Sequence, residues 1–400
     1  MALPKDSLKS DFPIFNDSDL VYLDNASTTQ KPKQVLDAVM AMYTDSNANV
    51  HRAIYDIGSK ATEKFENSRK NISDFINATS EKEIIFTSGT TESINLLAHT
   101  LDNSLGPGDN ILVSEMEHHA NLVPWQMASE RTGASLKFIP INSRGELDLS
   151  DPEKYFTRST KIIALTHVSN VLGTINPIND IARIAKEIGA LFVVDGAQGI
   201  PHQSIDVQNL GCDFYAFSGH KMLGPTGIGS LWGKMELLEE MDPFMGGGEM
   251  IENVSMLSST WNEVPYKFEA GTPNFVQAVG LSAAIDYLND IGMTNITKHE
   301  SELTSYALEK MSQIEGLRVF GSPKNRAGVI SFNIDGIHAH DLAQFLNEDN
   351  IAIRVGHHCA QPLLSSLKEN SVARLSIYIY NDKSDIDMFC TSLSTIKGYF

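Results

Sequence analysis

The chain has 400 residues, 42% hydrophobic and 20% charged, an ordinary balance for a globular protein with room for two domains. Its 31 basic and 50 acidic residues leave a net charge of −19, which argues against an extended surface for nucleic acid or anionic membrane but leaves room for a local basic pocket. No apolar run approaches the roughly 18–20 residues of a spanning helix, and the first residues lack the apolar core of a signal peptide. Three scattered cysteines, Cys212, Cys359 and Cys390, suit a reducing compartment and offer no metal-ligand spacing, so a cytoplasmic protein without a bound metal is expected.

From about residue 30 to 235, short apolar runs alternate with amphipathic stretches. The predicted strands are residues 83–87, 110–114, 135–140, 160–166, 190–195, 213–218 and 229–232, with helical stretches between them at 92–100, 121–132 and 179–188. This rhythm implies an α/β fold with a mainly parallel seven-stranded sheet covered by helices on both faces. Ligands on such sheets bind at the carboxyl ends of the strands. The glycine-rich stretch 245–250 breaks the rhythm. Helices at 274–291 and 295–314 follow, then strands near 317–320, 329–333 and 351–355 and a helix at 339–348. The expected organisation is a large domain over 21–285 and a smaller α+β domain over 286–400, with residues 1–20 packing on the latter.

Chemistry-bearing residues fall at the predicted strand ends. The first strand runs into Thr87-Ser-Gly89-Thr90-Thr91 and then a helix, so free amides and the Thr90 hydroxyl could cradle a phosphate. Read alone, this is more often an ordinary capped helix. The next strand ends in His118-His119; one ring could lie flat on a planar cofactor, while a metal site would need further ligands. Asp195 closes one buried strand and Lys221 lies just past the following one, in Ser218-Gly-His220-Lys221. A lysine amine forms a Schiff base with an aldehyde cofactor, and a partly buried aspartate can hold a pyridine nitrogen protonated. Gln198 could donate to the ring's phenolic oxygen, and Ser218 and His220 could join Thr90 around the phosphate. The convergence points to pyridoxal phosphate.

Near the carboxyl terminus, Arg354-Val-Gly-His-His-Cys359 ends a strand in a glycine turn with a lone thiol beyond it. The nearby arginine and histidines would favour its thiolate. Arg374 sits inside an apolar, strand-like run and needs an anionic partner, either a substrate carboxylate or a structural acid. The twelve histidines carry no His-Glu-x-x-His or similar spacing, so a metal-dependent hydrolase or histidine-rich binding protein is disfavoured.

These residues, with Tyr22-Leu-Asp-Asn-Ala-Ser27, Asn49-Val-His51-Arg52, Thr166-His-Val-Ser-Asn170 and Phe268-Glu-Ala-Gly-Thr272, resemble the type II, SufS-like cysteine desulfurases. That branch belongs to the class V aminotransferases, pyridoxal phosphate enzymes of fold type I, and the resemblance covers nearly the whole chain. It implies conversion of L-cysteine to L-alanine, with the sulfur held as a persulfide on Cys359 for iron–sulfur cluster assembly. Lys221 then matches the cofactor-binding lysine, Asp195 the ring-nitrogen partner and His118 the stacking acid/base. Thr90, Ser218 and His220 match phosphate contacts, and Gln198 the phenolate contact. Thr272 matches a residue reaching the neighbouring subunit's phosphate in a homodimer. Asn170, Arg354 and Arg374 match positions around the substrate carboxylate, and His51 and Arg52 an entrance loop. His340 matches a histidine of desulfurases that pass sulfur to a zinc-containing SufU-like acceptor rather than a SufE-like one; a plain polar position at a helix start is the alternative. A selenocysteine lyase, or another lyase or aminotransferase of the same fold, is the competing activity.

Overall fold

A computed structural model describes residues 8–51 and 54–398. The alternating apolar runs become seven strands: β1 Ile84–Thr87, β2 Asn110–Ser114, β3 Ser135–Ile139, β4 Thr160–Thr166, β5 Leu191–Asp195, β6 Phe214–Ser218 and β7 Gly229–Gly233. Their spatial order is β1-β7-β6-β5-β4-β2-β3. From β6 to β3 all neighbours run parallel, while β7 is antiparallel to both β6 and β1. Strands β5 to β7 are buried almost throughout, as a sheet covered on both faces requires. Side-chain alternation divides them between two cores. Ile162, Ala164, Val193 and Phe214 pack with Ile94, Leu97 and Trp125 on one face. Ile163, Leu165, Phe192 and Tyr215 pack on the other with Phe65, Ile181 and Ile285.

The smaller unit is a four-stranded antiparallel sheet in the order Leu317–Val319, Val329–Ile334, Val372–Ser376, Arg354–Gly356. Helices Met293–Met311, Ala339–Glu348 and Lys383–Thr395 bury Leu303, Leu342 and Phe389 against its Phe332 and Leu375. The run at 351–355 is two strands rather than one. Ile351–Ala352 pairs in parallel with Val21–Tyr22, and Arg354–Gly356 turns to pair with Val372–Ser376. Helix Phe275–Ile291 passes unbroken through residue 285 and packs on helices Lys33–Asp45 and Asp56–Phe75. The chain then turns at Gly292, whose φ of +86° suits glycine, into Met293–Met311. The leading segment is tied down by Lys9 on Asp385 (2.7 Å) and by the Phe12 ring against Tyr287 and Tyr380.

The glycine-rich break leads into a hairpin, Ile251–Val254 with Ser259–Trp261, absent from the sequence-based expectation. Met256 and Leu257 at its tip are 99% and 98% exposed. Among the described residues no helix is long and apolar enough to cross a membrane.

Candidate active site

Loops leaving the carboxyl ends of β1, β2, β4, β5 and β6 converge with two strands of the smaller sheet around one cavity of about 240 Å³. On the β1 side, Gly89 (φ +150°, ψ −179°) lets the chain turn into helix Thr90–Thr100. The Thr90 N–H donates to Ser218 Oγ at 2.9 Å, and the two hydroxyls lie 2.8 Å apart. A Cβ on Gly89 would stand 3.1 Å from Ser218 Oγ, so the close approach needs glycine. Two hydroxyls at a helix amino terminus form a cradle for an anion.

Asp195 closes β5 beside Ala216 of β6, and Lys221 follows β6 after a single turn. Burial lowers the Lys221 pKa from the ordinary lysine value, with Asp195 opposing. Burial raises Asp195, against Lys221 and the Ala197 N–H, which donates to Oδ1 at 2.9 Å. His118 Nδ1 accepts the Ala120 N–H at 3.0 Å. Burial, then Lys221, holds the ring down to about 3, so it is neutral and carries its hydrogen on Nε2. Gln198 Nε2 gives one hydrogen to the Ala26 carbonyl (2.7 Å) and keeps another for a ligand. His220 lines the same wall, lowered to about 4 by burial and by Lys221 and Lys31.

Opposite lie the arginines, directly paired across the smaller sheet. Arg374 Nη2 donates to Asp24 Oδ1 and Ser27 Oγ, both at 2.8 Å, and Nη1 donates to the Asn170 carbonyl at 3.0 Å. Arg354 Nη1 donates to the same Ser27 hydroxyl at 2.8 Å. Arg374 is 2% exposed, yet its Nε has no partner among the described residues. Two guanidinium groups thus share one hydroxyl, and only one of them has a carboxylate partner, leaving charge and donors for a second anion.

Cys359 completes the wall. His358 (φ +52°) and Cys359 (φ +55°) are consecutive left-handed residues without being glycine, a conformation costing roughly 1–3 kcal/mol each. A ring of bonds holds it. The Cys359 N–H donates to His357 Nδ1 (3.1 Å), its carbonyl accepts the His119 N–H (2.7 Å), and the His358 carbonyl accepts Asn170 Nδ2 (2.8 Å). His358 Nε2 meets the Val372 carbonyl at 3.0 Å. The free thiol is half-buried and lines the cavity. Cys212 and Cys390 are buried elsewhere, their thiols pushed up by burial to about 12 and about 11.

Three expected residues lie outside this cavity, and a fourth, Arg52, lies outside the described residues. His51 points to Glu66, with Nε2 2.7 Å from the carboxylate, and packs edge-on to Phe65 and Tyr266. Thr272 is exposed on a separate groove with Phe86, Glu92 and Met245. His340 is exposed at the start of helix Ala339–Glu348, its ring stacked on His338 at 5.3 Å. Conversely, the sequence assigned no role to Asp24, Ser27 or Glu117. Asp24 and Ser27 sit in a motif whose partners are about 350 residues away. Glu117 reads as a surface acid beside His118 but is buried, accepting from Ser114 Oγ (2.5 Å), Asn121 Nδ2 (2.7 Å) and the Thr166 N–H (3.1 Å). Burial pushes its carboxyl up to about 8, with Asp195 adding.

A family model described as aminotransferase class-V matches residues 21–389. A "Probable cysteine desulfurase" of Halalkalibacterium halodurans is 52% identical over 398 residues, 98% of each chain. An apo cysteine desulfurase structure from Thermococcus onnurineus NA1 superposes with a TM-score of 0.95 at 40% identity, covering 100% of this chain and 99% of that one. The cysteine desulfurase CsdA of Escherichia coli, in an S-sulfonic acid form, gives 0.91 at 40% identity over 98% of both chains.

Proposed function

This chain belongs to the aminotransferase class-V family, and we propose that it is a pyridoxal phosphate-dependent cysteine desulfurase that holds the sulfur of L-cysteine as a persulfide on Cys359. The observation that carries this reading is the half-buried free thiol of Cys359 on the same small cavity as Lys221, Asp195 and Arg374.

The residues fit the cofactor. A buried amine faces a buried carboxylate whose raised pKa a cationic ring nitrogen would reverse, and the Thr90–Ser218 cradle stands at a helix amino terminus. Lys221 would hold the group through its amine, Asp195 would pair with its ring nitrogen, Gln198 would contact its phenolic oxygen, His220 would join Thr90 and Ser218 at its phosphate, and His118 would lie against its face. When bound, it supplies an electron sink that acidifies the substrate's Cα–H and makes the Cβ–S bond labile. Arg354 and Arg374 bind the substrate carboxylate and orient Cα towards Lys221. Burial lowers the amine's pKa, so Lys221 Nζ, once released by the incoming substrate amine, can take the Cα proton as a base. Cys359 Sγ attacks the substrate sulfur: an S–S bond forms, the Cβ–S bond breaks with its electron pair going to carbon, and a proton completes alanine. Its strained loop holds the thiol at the cavity wall. Cys359→Ser tests this. The variant should still change absorbance on addition of L-cysteine, yet release less than about a hundredth of the wild-type sulfide. Normal sulfide release would refute the persulfide and favour another reaction on the same fold.

The same reading extends to the assembly. Thr272, exposed away from its own cavity, would serve the neighbouring subunit's phosphate in a homodimer, and the bare apolar hairpin tip at Met256 and Leu257 supports such a contact. Sedimentation of a monomer at micromolar concentration would refute it. The entrance role of His51 and Arg52 belongs to that assembled form. His340, exposed beside His338, is available to a zinc-containing SufU-like acceptor in the cytoplasm. Unchanged persulfide transfer by His340→Ala would remove this role. The division into residues 21–285 and 286–400, with 1–20 on the latter, would place cofactor and nucleophile on different units.

A further inference from the structure

His118 and Cys359 line the same cavity, and the residue after His118 is bonded directly to the backbone of Cys359. His119 follows His118 on the loop leaving β2. Its N–H donates to the Cys359 carbonyl at 2.7 Å, and its Nε2 accepts the Gln361 N–H at 3.2 Å. These two bonds bracket Cys359, Ala360 and Gln361 much as a partner strand would. Its ring lies 5.7 Å from that of His357, whose Nδ1 takes the Cys359 N–H. Two consecutive left-handed residues, His358 and Cys359, keep their conformation only if surrounding groups over-determine it. His119 contributes two bonds to that set, one of them through a side chain.

We propose that His119 is a positioning residue for persulfide formation, its ring nitrogen clamping the backbone just beyond Cys359 so that Sγ stays within reach of the substrate sulfur. The inference rests on the desulfurase reading above. Accepting from Gln361 requires an unprotonated Nε2, so the working form is the neutral ring with its hydrogen on Nδ1. His119 is not among the residues that line the cavity, so its effect should fall on the thiol's step.

The test uses the holoenzyme, three single variants and the double variant that combines His119→Leu with Gln361→Pro. His119→Leu removes the acceptor and keeps much of the bulk. His119→Gln restores an acceptor through its amide oxygen. Gln361→Pro removes the donated N–H at the first position of helix Gln361–Ser366, where proline is tolerated. In a single turnover, persulfide on Cys359, read by mass spectrometry, should form at least tenfold more slowly in His119→Leu and in Gln361→Pro, no more slowly in the double variant, and within threefold of wild type in His119→Gln. The absorbance change on adding L-cysteine should keep its amplitude and midpoint throughout. Alkylation of Cys359 by iodoacetamide without substrate should accelerate at least threefold in the two clamp-broken variants, because the released loop exposes the thiol. Wild-type persulfide rates in His119→Leu, a His119→Gln variant as slow as His119→Leu, or parallel loss of the absorbance change would each overturn the proposal. Should a variant not fold, the remaining two decide by the same comparison. Absence of persulfide in the wild type would instead overturn the desulfurase reading, while the alkylation comparison would still test the clamp.

Discussion

Arg374→Lys separates the two roles that the sequence allowed for this arginine. A guanidinium has five N–H donors, and the protein takes three: two on Nη2 for Asp24 and Ser27, and one on Nη1 for the Asn170 carbonyl. Nε and the second Nη1 hydrogen remain, and Nε is buried without a partner among the described residues. A buried donor left unpaired costs roughly 1–3 kcal/mol, so the second Nη1 hydrogen is the donor left for a substrate carboxylate. Lysine keeps one positive charge near Asp24 but loses the planar fork and both spare donors. Loss of a single charged hydrogen bond is worth about 1.5–3 kcal/mol, or about 10- to 150-fold in kcat/KM at about 1.4 kcal/mol per tenfold. The loss should fall mainly on KM, because the contact is made to the bound substrate before and during reaction. Steady-state alanine production over a range of L-cysteine concentrations measures it, alongside a thermal melt. A lowered melting temperature with unchanged kcat/KM would show that Arg374 serves only the Asp24 ion pair.

Gly89→Ala should lower affinity for pyridoxal phosphate by about tenfold, since φ +150° with ψ −179° is a glycine-only region costing roughly 1–3 kcal/mol otherwise, and the new Cβ crowds Ser218 Oγ at 3.1 Å. Absorbance titration of the cofactor into apoprotein reads this, and unchanged affinity would show that the cradle tolerates a side chain. Acid should destabilise the fold between pH 6.5 and 4. Burial lowers His118 and His358 to about 3 and His167 and His220 to about 4 from the ordinary 6.5. The unfolded chain therefore binds more protons in that window, so this stability is complete above pH 6.5 and is lost as pH falls. Glu117, raised to about 8, works in the opposite sense, its contribution present below 4.5 and lost as pH rises through 8. Asp195 and Glu300, also raised by burial, act in the same sense as Glu117, whereas Glu66, lowered to about 2, adds to the four histidines; a melting temperature flat from pH 6.5 to 4 would contradict the assignment of neutral buried histidines.

Much of the large unit was legible because its determinants are local. Runs such as Leu191–Asp195 and Phe214–Ser218 are apolar up to their last residue, and short glycine-bearing turns follow them. Strand ends must then deliver Asp195 and Lys221 to one edge, since side chains beyond parallel strands share that edge. The hairpin around Met256 was not legible: its strands alternate poorly, are exposed and carry no core signal. Residues 351–355 read as one strand because local periodicity cannot show that Ile351–Ala352 and Arg354–Gly356 bond to different partners.

Residue types and their order along the chain were sufficient to name an amine, an acid, a stacking ring, a phosphate turn and a lone thiol. Tertiary structure alone decided which of them meet. Arg374 reaches Asp24 across 350 positions, and Asn170 and His119 hold the Cys359 loop from 188 and about 240 positions away. Thr272, by contrast, is turned away from the cavity. Such pairings depend on how separately folded segments dock, and hydrophobic periodicity records only which face of each segment is buried, not what that face meets.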